Sequence, residues 1–353
     1  MRIAQLAPTY ERVPPAAYGG TELIVHLLTE ELVRRGHDVT LFASGDSTTA
    51  ARLVSVTPQA VRYGDPVNGL RHAEYLQLAN AQACFRAAET GAFDVVHNHA
   101  GIEGLAFAAA SATPVLTTNH NSFVPETQPI WDAYPWVHHA LSAASAATFP
   151  ARGAVAPIHH GIDVASFPFS GTSEGYLVFL GRFSPEKGAD RAIEAARLAG
   201  RRLVLAGKVD SVDADHFTRH VEPEIDDRLI TYIGEAGGDA KRQLLAGADA
   251  LLFPIDWDEP FGLVMVEALA CGTPVVGFRR ASVPEVVEDG LTGFVVDDVE
   301  AMADRIGRVG SIDRAACRRA AEVRFDVSRM VDDYERQYEI VAASRSAARS
   351  PVG

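Results

Sequence analysis

The sequence predicts an α/β protein of two Rossmann-like, doubly wound domains facing each other across a cleft, and three observations predict it. Short apolar strand runs alternate with segments of helical spacing along the whole chain, the signature of βαβ units and parallel sheets. The same alternation restarts after residue 170, beyond a stretch holding Pro168, Ser170 and Gly171. The length of 353 residues exceeds one ordinary domain and suits two. The expected division is 1–160 and 161–327, with the helix expected at 328–343 packing back on the first domain.

In the first half, Arg2–Ala7 reads as a buried strand, followed by a loop with Pro14, Pro15, Gly19 and Gly20. Glu22–Arg35 is a helix because apolar residues fall at 24, 25, 28, 32 and 33, and Gly36 stops it. Asp38–Ala43 is a strand, Ala73–Glu89 a helix, Asp94–His97 and Pro114–Thr118 strands, and Trp131–Ala143 a helix. Gly161–Gly171 reads as the linker.

In the second half, strands are expected at Tyr176–Leu180, Arg202–Ala206, Leu229–Ile233, Ala250–Phe253, Pro274–Phe278 and Gly293–Val296. Helices are expected at Ala189–Leu198, Lys241–Ala246, Phe261–Ala270, Asp313–Glu322 and Ser328–Ala343, with SRSAARSPVG as a frayed tail.

Composition narrows the function. The 46 acidic against 32 basic residues give a net charge of −14, which argues against nucleic-acid and anionic-membrane partners. Three scattered cysteines, Cys84, Cys271 and Cys317, form no disulfide framework or zinc spacing and point to a reducing, cytoplasmic setting. The N-terminus has no signal-peptide core, and the most apolar stretch, Gly104–Leu116, is too short to span a bilayer.

In open α/β sheets, ligands bind beyond the carboxyl ends of strands. The strand YLVFLG runs into Gly181-Arg182-Phe183-Ser184-Pro185-Glu186-Lys187-Gly188 and then a helix. Arg182 and Lys187 therefore share a post-strand loop, and a cation at a helix N-terminus invites an anion between them. Glu267 stands on a helix otherwise made of Leu, Val, Met and Ala, so its carboxylate needs hydroxyl or cationic donors. Glu259 precedes that helix's first turn, where free N–H groups point outward. On the residues alone, Glu259 and Glu267 serve either a ligand or, respectively, the helix N-terminus and an internal salt bridge.

Taken together these segments resemble the family 4 retaining glycosyltransferases. EPFGLVMVE followed by ALACGTPVV is similar to the family's E-x7-E motif, and GRFSPEKG resembles its donor-phosphate loop. GLTGFV at 290–295, YGGTE at 18–22 and HHGID at 159–163 resemble a following segment, the glycine loop and the interdomain hinge. The resemblance implies the two-Rossmann-domain GT-B fold with the donor on the C-terminal domain. It implies that Arg182 and Lys187 bind the donor diphosphate, that Glu267 accepts the ribose hydroxyls and that Glu259 lies near the transferred sugar. Backbone N–H groups of Phe261, Gly262 and Leu263 would contact sugar or phosphate oxygens, and Gly19 and Gly20 would let the backbone approach the phosphates. His120, ending PVLTTNH, matches the family histidine that reaches the donor sugar. Ala281 stands where the family often has glycine, a departure that would narrow the sugar pocket, so the resemblance assigns Glu285 no role.

Other constellations receive plainer readings. Asp256-Trp257-Asp258 is read as loop acids, His97-x-His99 as supporting or acceptor-side residues facing one side of a strand, and His138-His139 and His159-His160 as surface and hinge residues. No GxGxxG follows the first strand and no GxxxxGK[ST] occurs, against a dehydrogenase or P-loop kinase. The expectation is a retaining, metal-independent transferase without a cofactor, moving a sugar from a UDP- or GDP-sugar to a sugar, lipid or natural-product hydroxyl. The rivals are a nucleotide-sugar epimerase or sugar phosphorylase on the same fold, and a non-catalytic nucleotide-sugar-binding protein. Acceptor contacts are expected around 64–75 and 121–136, with Tyr134 and Trp136 as stacking candidates.

Overall fold

Runs such as LVFL, LVLA, ALLF and VVGF are apolar at every position, as strands buried on both faces must be. The structure, a computed structural model, describes residues 1–16, 19–61, 69–133, 137–150 and 153–349, without the side chains of 69–72 and 344–349. The chain forms two units, Met1–Gly161 with Val327–Gly353, and Ile162–Asp326.

Unit 1 holds a six-stranded parallel sheet of β1 (Arg2–Leu6), β2 (Asp38–Phe42), β3 (Arg52–Val54), β4 (Val95–Asn98), β5 (Val115–Thr118) and β6 (Val137–His139), in the order β3-β2-β1-β4-β5-β6. Phe42, Phe85, Phe93, Leu105 and Trp131 pack into one buried cluster on this sheet. The C-terminal helix Val327–Arg349 belongs to this unit and packs on β4 and β5 and on helix Gly20–Arg34. Arg35 clamps it by ion pairs to Asp332 and Glu335, both 2.6 Å. Unit 2 repeats the winding with β7 (Leu177–Leu180), β8 (Leu203–Ala206), β9 (Ile230–Tyr232), β10 (Ala250–Phe253), β11 (Val275–Phe278) and β12 (Gly293–Val296), ordered β12-β11-β10-β7-β8-β9. Each order reverses once, between β1 and β4 and between β7 and β10. Those two gaps are the crevices where such sheets bind ligands.

Several expected elements differ. Trp131–Ala143 is not one helix: a short helix Gln128–Ala133 is followed by β6 (Val137–His139), a three-residue edge strand too short to show a period and disguised by two histidines. Strand β3 is equally short, and helix Ile102–Ala108 runs into the apolar Gly104–Leu116 stretch. That helix sits on the end of β4 because residue 104 is glycine: a Cβ there would lie 2.0 Å from Asn98 Oδ1. The expected frayed tail is helical to Arg349, in keeping with its Ala and Arg content. Gly161–Gly171 is no free linker, because Ile162 N–H donates to the Phe325 carbonyl (2.9 Å) and Ser170 N–H to the Cys271 carbonyl (3.1 Å). No helix among the described residues is long and apolar enough to cross a membrane.

Candidate active site

The β7 loop reaches its site through Gly188. The chain makes one 3-10 turn at Pro185–Lys187, and Gly188 at φ 76° swings it into helix Ala189–Leu198. A Cβ on Gly188 would stand 2.3 Å from the Pro254 carbonyl oxygen, so glycine lets the β7 loop press against the β10 loop. Asp256 N–H donates to the Glu186 carbonyl (2.8 Å) and Arg191 Nε–H to the Pro254 carbonyl (2.8 Å), stitching the two loops at the strand-order reversal.

This brings Lys187 and Glu259 together as an ion pair, with the ammonium 4.6 Å from the Trp257 ring centroid. The Trp257 indole N–H donates to Glu259 Oε2 at 3.0 Å. Asp256 and Asp258 are exposed loop acids, as expected, and the tryptophan between them orients the Lys187–Glu259 pair. Arg182 turns elsewhere, with Nη2 2.6 Å from Glu186 Oε1 and Nε 3.1 Å from Asp213 Oδ2. Asp213 is 7% exposed and went unnoticed in the sequence, where VDSVDAD shows three interchangeable acids. Both cations are thus matched by carboxylates.

Glu267 lies on helix Leu263–Ala270 and is 3% exposed. The donor its burial demands is Lys241, whose Nζ is 2.5 Å from Oε1. All three lysines of the chain, Lys187, Lys208 and Lys241, lie in unit 2 and each pairs with a carboxylate. Gly262 caps the Glu267 helix at φ 79°, a left-handed turn in which a Cβ would meet Met265 Cε at 2.8 Å. Leu263 opens the helix, and Phe261 is buried with its carbonyl accepting from Ser282 Oγ (2.8 Å). Ala281 holds φ 44°, the left-handed conformation that glycine adopts most readily. Glu285 is half-buried, and its carbonyl accepts from Arg324.

Unit 1 places the remaining candidates at the carboxyl ends of its strands. Gly19 and Gly20 begin helix Gly20–Arg34, and a Cβ on Gly19 would lie 2.7 Å from Pro15 Cβ, so its own loop already requires glycine. Tyr18, Tyr134 and Trp136 lie outside the described residues, as do 64–68 of the expected acceptor region.

His120 follows β5, and its Nε2 is 2.8 Å from His99 Nδ1. His99 Nε2 lies 2.8 Å from Gln5 Oε1, and Gln5 Nε2 donates to Tyr338 Oη at 3.1 Å. His97 contacts Tyr338 Oη (2.7 Å) through Nδ1 and Thr118 Oγ1 (2.6 Å) through Nε2. Thr118 Oγ1 also meets His139 Nε2 (3.0 Å) and Tyr334 Oη (3.2 Å). Tyr334 and Tyr338 come from the C-terminal helix and are fully buried.

His97 and His99 do share one side of the strand, their rings 3.8 Å apart, and all four of their ring nitrogens are hydrogen-bonded. His138 and His139 are buried rather than at the surface, and His160, expected at the hinge, is also buried and stacks 5.2 Å from His120. Burial holds His139 down to about 4 and His120 to about 3, and keeps His97 and His99 well below the ordinary value. His120 Nδ1 is buried and has no hydrogen-bond partner among the described residues. Such an orphan costs about 1–3 kcal/mol, and a ligand hydroxyl would remove the penalty.

Two family models tile these units in order. One described as Glycosyltransferase Family 4 matches residues 18–165, and one described as Glycosyl transferases group 1 matches residues 174–311. The chain belongs to glycosyltransferase family 4. This family 4 glycosyltransferase is 27% identical to the D-inositol 3-phosphate glycosyltransferase of Mycolicibacterium smegmatis, over 94% of this chain and 91% of the relative. The solved structure of AviGT4, a glycosyltransferase involved in avilamycin A biosynthesis, matches with a TM-score of 0.70 and 26% identity, covering 97% of this chain and 98% of that one. Anabaena HepE in complex with UDP shares the fold at a TM-score of 0.72 and 21% identity, covering 96% of this chain and all of HepE, 100%. The family 4 glycosyltransferase thus has the GT-B fold.

Proposed function

We propose that the protein moves a sugar from a nucleoside-diphosphate sugar to an acceptor hydroxyl with retention of anomeric configuration and without a metal ion. The observation that carries this reading is the pairing of Lys187 with Glu259 where the β7 and β10 loops meet, with Arg182 on the same β7 loop. A diphosphate entering there would exchange Glu259, Glu186 and Asp213 for its own oxygens. The two cations would then hold the charge that develops on the departing phosphate, the role a metal plays elsewhere. Glu267, shared with Lys241, accepts the ribose hydroxyls. Glu259 and the N–H groups of Phe261, Gly262 and Leu263 face the sugar and phosphate, and Gly19 and Gly20 face the phosphates. His120 takes a sugar hydroxyl. HepE was solved with UDP and with UDP-glucose, so UDP-sugars are the first donors to test and GDP-sugars the second.

The resemblance to the retaining family supports retention, and the setting of Glu259 agrees with it. Inversion calls for a base opposite the leaving group, and a double displacement calls for a carboxylate free to attack. Glu259 still accepts from the Trp257 indole N–H once the diphosphate has taken Lys187, so its carboxylate is not free to attack. The reading is therefore a same-face exchange. The bond from the anomeric carbon to the phosphate oxygen breaks, the acceptor oxygen bonds to that carbon, and the acceptor proton passes to the departing phosphate oxygen. Proton NMR of fresh product from an α-linked donor is the test: an α linkage is expected, and a β linkage would overturn retention. Transfer should persist in EDTA; its complete loss, restored by Mn²⁺ or Mg²⁺, would overturn metal independence.

A further inference from the structure

We propose that a one-way relay of hydrogen bonds, anchored on the Ala140 carbonyl, locks His120 in its Nε2–H form and presents Nδ1 as an acceptor for a hydroxyl of the sugar being transferred. His99 and Gln5 are its positioning residues. The proposal rests on the functional reading above only for the identity of that hydroxyl.

The polarity can be followed atom by atom. Burial keeps these imidazoles neutral near pH 7, so each has one N–H and one lone pair. A carbonyl only accepts, so His139 carries its proton on Nδ1, 3.2 Å from the Ala140 oxygen. His139 Nε2 is then a lone pair, and the only hydrogen of Thr118 must go to it. Thr118 Oγ1 therefore accepts from Tyr334 and from His97 Nε2–H. His97 Nδ1 is left to accept the Tyr338 hydroxyl hydrogen. Tyr338, its hydrogen committed, accepts from the Gln5 amide N–H, which turns Gln5 Oε1 toward His99 Nε2–H. His99 Nδ1 then accepts from His120 Nε2–H, and His120 Nδ1 ends the relay as a buried lone pair without a partner among the described residues.

Reversing the polarity would aim a lone pair of His139 at the Ala140 carbonyl and make His120 Nδ1 a donor. The two polarities select different ligands. An acceptor at Nδ1 takes the hydrogen of a hydroxyl, as on a neutral hexose, and repels the carboxylate of a uronic acid; a donor there would bind a hydroxyl oxygen and a carboxylate alike.

Two-bond proton–nitrogen correlation NMR of the full-length protein with ¹⁵N-labelled histidine reads the tautomers directly. His97, His99 and His120 should be Nε2–H and His139 Nδ1–H. Thr118→Val cuts the relay far from His120 and should mix the His120 tautomers. It should lower kcat with the UDP-hexose substrate by roughly ten-fold, the worth of one hydroxyl hydrogen bond, while UDP affinity stays unchanged. His99→Leu should do the same, and His99→Asn, whose Oδ1 can stand in for Nδ1, should restore both the tautomer and most of the rate. A wild-type His120 protonated on Nδ1, or a tautomer that Thr118→Val leaves untouched, would overturn the relay. A correct tautomer with undiminished kcat in His99→Leu would overturn the hydroxyl contact. Failure of the wild type to transfer any sugar would count against the functional reading alone, and the spectrum would still decide the relay.

Discussion

Lys187 and Arg182 were legible as a pair of cations after one strand, but their partners were not. Lys187 is shared between Glu259 and the Trp257 face, whereas Arg182 is held by Glu186 and Asp213. Two predictions belong here. Arg182→Ala and Lys187→Ala should each weaken UDP binding by about ten- to a hundred-fold, since a charged hydrogen bond is worth ~1.5–3 kcal/mol. Titration calorimetry with UDP gives the answer, and unchanged affinity in the double variant would refute the phosphate assignment. Glu259→Gln separates competition from catalysis. It frees Lys187 for the diphosphate, so UDP should bind several-fold tighter while kcat falls and no glycosyl-enzyme accumulates. Weaker UDP binding in that variant would show that Glu259 does not compete for Lys187.

At the level of strands and loops, the unit 2 site exists because two loops touch where the strand order reverses. Gly188 sets their separation, since only hydrogen fits against the Pro254 carbonyl at φ 76°. Gly188→Ala should therefore drive the β7 and β10 loops apart. The cost should be roughly 1–3 kcal/mol of stability in unit 2, from strain and overpacking combined. UDP affinity should fall although no ligand-contacting side chain has changed. Thermal unfolding with and without UDP checks both, and wild-type stability would mean that the loops yield freely. The two strands that sequence reading missed share one trait. β3 and β6 are three-residue edge strands whose pairing partner, not their own pattern, makes them strands.

Over the whole molecule, titratable groups are unevenly divided. Ten of the twelve histidines lie in unit 1, and His97, His99, His139 and His160 there are buried to 3% exposure or less. Burial lowers their proton affinity below the ordinary 6.5, to about 4 for His139 and about 3 for His120. The unfolded chain then binds protons that the folded unit refuses once pH drops below 6.5. The stabilisation from neutral histidines is complete above that pH. It shrinks as pH falls toward the folded values, by up to about 1.4 kcal/mol per histidine per pH unit. Amide exchange at pH 7.5 and pH 5 should show β4, β5 and β6 losing more protection than β10 and β11. Equal losses in the two units would rule out the histidine cluster as the cause.

What the sequence determined alone was whatever is local in the chain. Helical spacing, apolar runs and glycine stops placed most elements, the repeated alternation implied two wound sheets, and the position of Arg182, Lys187, Glu259 and Glu267 after or between strands singled them out as candidates. Only the tertiary structure decided which charges meet. Glu267 faces Lys241 from another helix, Asp213 reaches Arg182 from beyond β8, and Gln5, Thr118 and Tyr338 join the histidines from three separate elements. The reason is physical. Backbone periodicity is a short-range property carried by a few neighbouring residues, whereas a buried polar group takes whichever partner sheet order and helix packing bring within about 3 Å.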